Sequence, residues 1–480
     1  MALPAARHLT VPDGGWEEVA AWGVATRVSS RVYRPRTADE VAEVFALAAA
    51  EGLSVGLRGG GQSIGDASLN AGNVCLDLSG MNGIRAWDPG TGVIEVEPGV
   101  TVGRLWRTVI ADGWLPPVVP GTMLATLGGC AAANVHGKNH WRAGTIGEHL
   151  LEVELALPNG EVRRCRPTEN DDLFRAAIGS FGMLGCFTRL TLRCQRVHSG
   201  WLRVEPVAVG SFEEAIAVFE ERRSAADYLV GWVDGFARGP AAGRGLVHQA
   251  NHLAAGEDPD PRASLGPAVQ RLPGAILGLV PAPLAWRLVR PLLHHPTVRL
   301  VNGVKYRLGR VERVHRQSHT KFTFLLNRIP GWERAYGRHG LVQYQSFIPV
   351  AHAARVFRAQ ITLAHEAGVP PYMGIFKRHR PDDFLVSYGV DGFSLGLDFK
   401  VTRANRARLP ALTARLDRLV IEAGGRFYLA KDSTLTPSSF APYLAEPRLQ
   451  RFLALKRSCD PGRLLETNLF RRILGAAGAA

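Results

Sequence analysis

Four short segments carry residue types that can do chemistry. The first is Gly59-Gly60-Gly61-Gln62-Ser63-Ile64-Gly65. A Rossmann fingerprint must open a helix whose N-terminus meets a pyrophosphate, and here a strand follows instead. Gly61-Gln62-Ser63-Ile64-Gly65 also has the G-x-S-x-G spacing of a nucleophile elbow, but that turn needs a helix behind the serine, and DASLNAGNVCLDLS is not helical. Two readings stay open: an ordinary glycine-rich turn, or a nest of bare N–H groups that binds a diphosphate between two strands.

The second segment is His136-Gly137-Lys138-Asn139-His140. Two histidines four apart can hold a metal on a helix, but Gly137 and Asn139 favour a loop, and no carboxylate lies near in sequence, so no metal is expected. The histidine and lysine can equally contact a ligand phosphate or hydroxyl. The third is Val342-Gln343-Tyr344-Gln345, where a strand puts Gln343 and Gln345 on one face, either as paired amides for sugar hydroxyls or as a solvated edge. The fourth is Tyr428-Leu429-Ala430-Lys431-Asp432-Ser433. A desolvated lysine there can act as a base on a hydroxyl substrate, or simply pair with Asp432.

These segments need elements to hold them. Thr37 and Glu40 read as a capping box for a helix with Val41, Val44, Phe45 and Ala48 on its apolar stripe and Gly52 as its stop. A strand at Leu53–Leu57, the glycine loop and a strand near Asn73–Ser79 follow, then a hairpin around DPGTG and a helix from about Val102 to Ala111. The small-residue run PPVVPGTMLATLGGCAAANVHGKNH allows close approach of a bulky ligand and reads as its wall. Strands flanking Pro158-Asn159-Gly160, a helix at DDLFRAAIG and strands near CFTRLTLRC complete the first half. Beyond it, Gly239 to Pro267 reads as a flexible insertion and the residues after Thr434 as mostly helical.

The 480 residues are 46% hydrophobic and 21% charged, the mix of a globular protein rather than a disordered or fibrous one. No uncharged apolar run reaches the roughly 18 residues of a membrane span; Leu272–Trp286 comes nearest and is broken by prolines. The N-terminal MALPAARHLTVPDGGW has no export pattern, so a cytoplasmic location is expected. Six cysteines without a C-x-x-C pair suit reduced thiols, and any redox chemistry then needs a cofactor. A net charge of +14 favours phosphates, nucleic acid or an anionic membrane surface, and equally suits a compositional background. With no helix-turn-helix or RNA-binding motif, nucleic acid is not expected as a partner. Between Pro281 and Arg316 eight basic residues stand against Glu312, mixed with Leu, Val and Trp286. That mix suits peripheral contact with a membrane or a polyprenyl phosphate, or a solvated lid.

In order along the chain, RGGGQS, PGTMLATLGG and the wall up to His136 resemble the vanillyl-alcohol oxidase, or PCMH-type, FAD-binding flavoproteins. HGKNHWRAGTIGEHL, GLVQYQSFIP, GIFK, GLDF, FYLAKDS and CDPGRLLETNLFRRI are similar, more narrowly, to the decaprenylphosphoryl-ribose oxidase branch. The resemblance implies an α+β fold: a PCMH-type FAD domain of two α/β subdomains over residues 20–197, a substrate domain with an antiparallel sheet flanked by helices over 198–430, and a C-terminal helical segment, 431–480, returning to the FAD domain. It implies that Gly59, Gly60, Gly61, Gln62, Ser63, Ile64 and Gly65 cradle the diphosphate of FAD. Gly121, Thr126, Gly128, Gly129, Asn134, His136, Phe187 and Tyr428 would lie along the cofactor. Gln343, Gln345, Lys377 and Ser394 would face the substrate, and Lys431 and His136 would assist proton removal.

Many relatives attach FAD through a histidine directly after the glycine run, where this chain has Gln62, and others through a cysteine just before T-x-G-G, where Leu124 stands and Cys130 comes too late. Non-covalent FAD is therefore expected. The implied reaction oxidises a secondary hydroxyl of a sugar, of the polyprenylphosphoryl pentose kind, to a ketone. The base takes the hydroxyl proton while hydride passes to flavin N5 across about 3–3.5 Å. This is the first half of an epimerisation if a separate NAD(P)H-dependent ketoreductase follows. Ser394 and Gly396 replace an asparagine and a cysteine of the G-x-N-x-C-x-D-F segment, and Ile64 replaces an aromatic, which reshapes the pocket. Those departures motivate a second reading, a sugar- or cyclitol-tailoring oxidase acting on a natural-product glycoside.

Overall fold

Three larger sheets and two two-stranded ones form in the computed structural model, which describes residues 14–276 and 279–474. The N-terminal leader reading rests mainly on residues 1–13, outside that range, as are 277–278 of the apolar 272–286 run and the last six residues of the C-terminal segment. The first sheet places Gly15–Ala20, Arg27–Tyr33, Val74–Asp77 and Val55–Arg58 side by side, the last three parallel. Helix Ala38–Ala50 buries Val41, Val44, Phe45 and Ala48 against it. Thr37 caps that helix by accepting the Glu40 N–H at 3.2 Å, and the Glu40 carboxylate accepts the Arg36 N–H at 2.7 Å, one residue further back than a capping box reaches.

The second sheet is antiparallel: Ile84–Asp88, Val93–Val96, Cys186–Arg193, Leu150–Ala156 and Val162–Cys165. Both hairpins turn where the sequence predicts. Helices Val102–Ile110 and Leu127–Ala132 pack on its core, the latter capped by the Thr126 hydroxyl.

The third sheet has eight strands in the order His315–Ser318, Trp201–Ser211, Gly243–His252, Tyr228–Val233, Gly374–His379, Gly392–Lys400, Leu341–Pro349 and Arg426–Phe427. All its pairings are antiparallel. Residues 243–252 fall inside the stretch expected to be a flexible insertion and instead form an interior strand. Leu246, Val247 and Ala250 are its few buried hydrophobics, and the ladders on both sides satisfy a backbone whose composition alone looks loop-like.

Strand alternation sets what this sheet offers on each face. Tyr344 and Ser346 point to the helical side. There the Tyr344 hydroxyl donates to Asp417 Oδ1 at 2.9 Å on helix Leu409–Glu422, and Ser346 pairs with Gln360 on helix Val350–Glu366. Gln343, Gln345 and Phe347 occupy the opposite face, in register with Asp398, Gly396 and Ser394 of the neighbouring strand. That face looks toward the first two sheets.

Burial pushes the Asp417 carboxyl up to about 6, although the Tyr344 and Ser439 hydroxyls both donate to it. The folded state then holds this proton more tightly than the unfolded state, so stability falls as pH rises from about 4 to about 6, by about 3 kcal/mol in all. Asp417→Asn removes that dependence. Urea midpoints taken on either side of the window should show wild type losing this margin relative to the variant as pH rises; a difference independent of pH would contradict the assignment.

The chain ends by returning to its beginning. Val55 donates to Leu464 O and accepts from the Glu466 N–H, Arg471 reaches Asn70 Oδ1 at 2.7 Å, and helix Asn468–Leu474 buries Leu469, Phe470 and Ile473.

Candidate functional site

Between the third sheet and the first two lies a cavity of about 320 Å³. One wall is the loop that follows strand Val55–Arg58. The N–H groups of Gly60, Gly61, Gln62 and Ser63 donate to no acceptor among the described residues, while the Ser63 and Ile64 carbonyls accept from Trp22 and Gly23 and the Ile64 N–H donates to Ala430 O at 3.1 Å. The loop is thus held from behind with four amides free, the arrangement that receives an anion. Glycine is required by what crowds it. A Cβ on Gly60 would stand 2.1 Å from Leu124 O, and one on Gly65 would stand 1.6 Å from Asp432 O. Gln62 donates to Gly60 O at 2.9 Å and accepts from the Thr122 hydroxyl at 3.2 Å.

Gly59 to Ile64, Gly121, Thr126, Gly128, Gly129, His136, Phe187 and Tyr428 all line the cavity, together with Pro116, Pro117, Val119 and Cys130. This long wall of backbone, proline and flat apolar side chains, leading from an anion nest, fits the diphosphate and ring system of FAD. Two residues assigned to the cofactor stand elsewhere. Gly65 lies outside the lining, against the Asp432 backbone. Asn134 is one layer back, at φ +41°, where its Oδ1 accepts the Gly147 N–H at 3.1 Å and its carbonyl accepts the Tyr388 hydroxyl.

Gln343, Lys377, Asp398 and Lys431 converge on another part of the lining. Gln343 Nε2 donates to Asp398 Oδ1. Gln345 and Ser394 sit behind this layer: Gln345 Nε2 lies 3.2 Å from both His136 Nε2 and Ser394 Oγ, and the Ser394 hydroxyl also meets His379 Nε2 at 2.7 Å. Both His136 nitrogens are engaged within the protein, since Nδ1 lies 3.4 Å from Gly137 O and from Lys377 Nζ. The Lys431 amine has no hydrogen-bond partner among the described residues.

The electrostatics follow from burial. Desolvation, with Lys377 adding repulsion, holds His136 well below the ordinary imidazole value, so it is neutral. Lys377 is lowered strongly by desolvation and then by Lys431 and Lys138. Lys431 falls to about 8 through desolvation, partly offset by the Asp398 carboxylate, and Lys138 falls to about 7. Burial raises Asp398 despite the Gln343 amide and the Lys431 charge. Burial also pushes the Cys130 thiol up to about 12, which keeps it protonated.

Asp398 was not singled out from the sequence. It shares a face with Ser394 and Gly396 by strand alternation, a signal present in FSLGLDF, but only the register with Gln343 shows where that face points. Tyr228, Trp332, Leu325 and Leu326 also reach the cavity, from segments whose placement depends on long-range packing. Ser63 has no helix behind it and no histidine partner among the described residues, so the hydrolase spacing is not realised.

Comparison with known proteins agrees with this wall. Residues 29–166 match the FAD binding domain family. Over 467 residues, 95% of this chain and 97% of the other, it is 30% identical to decaprenylphosphoryl-beta-D-ribose oxidase of Mycolicibacterium smegmatis. It is 31% identical over 383 residues to the uncharacterized protein in the mprA 5' region of Streptomyces coelicolor, covering 78% of this chain and all of that one. A shorter similarity, 31% over 179 residues, 36% of this chain and 31% of the other, relates it to the mitochondrial D-lactate dehydrogenase [cytochrome] of Arabidopsis thaliana.

Proposed function

Since the chain belongs to the FAD-binding oxidoreductase family that includes decaprenylphosphoryl-beta-D-ribose oxidase, we propose that it oxidises a secondary hydroxyl of a polyprenylphosphoryl pentose-like sugar to a ketone. The observation that carries this reading is the unpartnered Lys431 amine, lowered to about 8, in the part of the cavity lining where Gln343, Asp398 and Lys377 converge. Bound FAD supplies the hydride acceptor. Lys431 takes the hydroxyl proton as the carbon is oxidised, and its near-neutral pKa lets the free amine be populated at working pH. Gln343, held by Asp398, presents its amide to a sugar hydroxyl. Burial lowers the Lys377 and Lys138 amines, and a bound phosphate would draw both back toward their charged, donating forms, which suits a phosphorylated substrate. His136, with both nitrogens engaged, orients Gln345 and Lys377 rather than competing for the proton. A ketone product suits a separate NAD(P)H-dependent ketoreductase that would complete an epimerisation.

A sugar- or cyclitol-tailoring oxidase is the second reading. Gly396 favours it: the three atoms nearest a Cβ built there all belong to Gln345, at 3.7–3.8 Å, so the missing side chain leaves slack in the layer behind the cavity lining. Turnover with an artificial electron acceptor separates the two. Lipid-phosphate pentoses should be oxidised, with loss of two hydrogens in the product by mass spectrometry, and oxidation of free glycosides alone would transfer the assignment to the second reading.

The cofactor is held without a covalent bond on this account, because Gln62 cannot form one and the Cys130 thiol is protonated and unreactive. Acid precipitation should leave the yellow colour in the supernatant. Colour in the pellet would overturn this.

A further inference from the structure

Helix His295–Gly309 has two unlike faces. Val298, Asn302, Lys305 and Gly309 recur at helical spacing on the side that holds it to the protein. Val298 packs into a hydrophobic cluster, and Asn302 donates to Asp234 Oδ1 at 3.0 Å and to Tyr372 O at 2.9 Å. Lys305 lies over the Trp232 ring, and Gly309 meets Leu246. An adjoining face carries Leu300, Val304 and Leu308 at i, i+4 and i+8, and continues past the helix end to Val311. Leu300 is 64%, Leu308 63% and Val311 74% exposed. The preceding short helices add Leu288 at 57% and Leu292 at 56%. Single exposed leucines are ordinary, whereas a set gathered on one face marks a surface that is covered in use.

The charge around this face says what covers it. Arg287, Arg290, Arg299, Arg307, Arg310 and Arg313 are exposed, and none makes an ion pair among the described residues. A second copy of the chain docking face to face would set these arginines against one another. Nucleic acid would accept the arginines but gain nothing from leucine and valine, which neither stack on nor read bases. An anionic bilayer matches both features: lipid phosphates meet the arginines while the apolar stripe enters the headgroup boundary. The same segment adjoins the cavity, because Trp286, Val289 and Val298 share a cluster with Ile64 and Trp332, both of which line it.

We propose that the helix His295–Gly309 and the short helices before it form a docking surface for an anionic lipid bilayer and set the cavity beside the membrane plane. This holds whatever substrate the cavity takes. The test is flotation of the full-length holoprotein with vesicles of phosphatidylcholine alone or with about a third phosphatidylglycerol. Binding to the anionic vesicles, weakened by salt, is expected, with little binding to the neutral ones. Arg299→Ser/Arg307→Ser/Arg310→Ser should lower partitioning by about a hundredfold, at about fivefold per arginine. Leu300→Ser/Leu308→Ser should lower it by at least about tenfold. All five side chains are exposed, so the variants fold as wild type does. Absence of wild-type binding, or binding unchanged by the leucine variant, would overturn the proposal. Self-association through these residues in sedimentation equilibrium, without vesicle binding, would overturn it in favour of a second copy.

Discussion

Lys431→Met is expected to slow reduction of bound FAD by substrate by about 10²–10⁴-fold, the usual contribution of a positioned general base, while FAD stays bound. The side chain is nearly isosteric and lines the cavity without a hydrogen bond of its own, so its loss leaves the surrounding packing intact. Wild-type reduction should rise with pH through about 8, because the acting species is the free amine and burial has brought its pKa down to that value. In the variant that limb disappears. Rapid mixing under anaerobic conditions, followed across pH, checks both. An unchanged rate with an unchanged pH profile would remove Lys431 from the chemistry. His136→Gln serves as the contrast: it disturbs the contacts to Gln345 and Lys377, so it should lower the rate without moving the pH limb.

The second large effect concerns how the lysine and the glycine loop are held together. Arg472, on the C-terminal helix, grips Asp66 through Nε at 3.1 Å and Nη2 at 2.7 Å, and Nη2 lies 2.8 Å from Asp432 Oδ2. Asp66 follows the glycine loop and Asp432 follows Lys431, so one guanidinium fastens the two segments that meet at Gly65. Both carboxylates are buried. Arg472→Met strands them without a cation, which costs about 3–5 kcal/mol. The urea midpoint should drop accordingly, and FAD should dissociate more readily because the nest and the opposing loop part. Adding Asp66→Asn and Asp432→Asn to the variant should restore much of the stability. A midpoint unmoved by Arg472→Met would mean that the clamp holds nothing.

What could be read from the sequence was local. The capped helix at Ala38–Ala50, the hairpin at Ile84–Val96 and the placement of the glycine run between strands follow from short-range periodicity and turn chemistry. So does the shared face of Gln343 and Gln345, although alternation could not tell that Gln343 lines the cavity while Gln345 stands behind it with Ser394. The interior strand Gly243–His252 was hidden because its stability comes from two flanking ladders rather than from its own residues. Asp398 and Arg472 were hidden for a related reason. Each acts through partners tens to hundreds of residues away, and only folding sets those distances.

The central claim is that this FAD enzyme oxidises the hydroxyl of a lipid-phosphate sugar. Its most direct test is anaerobic titration of the holoenzyme with a polyprenylphosphoryl pentose while the flavin band near 450 nm, an approximate value for the oxidised cofactor, is recorded. The account predicts stoichiometric bleaching with one keto sugar formed per flavin. No bleaching by any lipid-phosphate sugar, with bleaching by D-lactate or another 2-hydroxy acid, would contradict it.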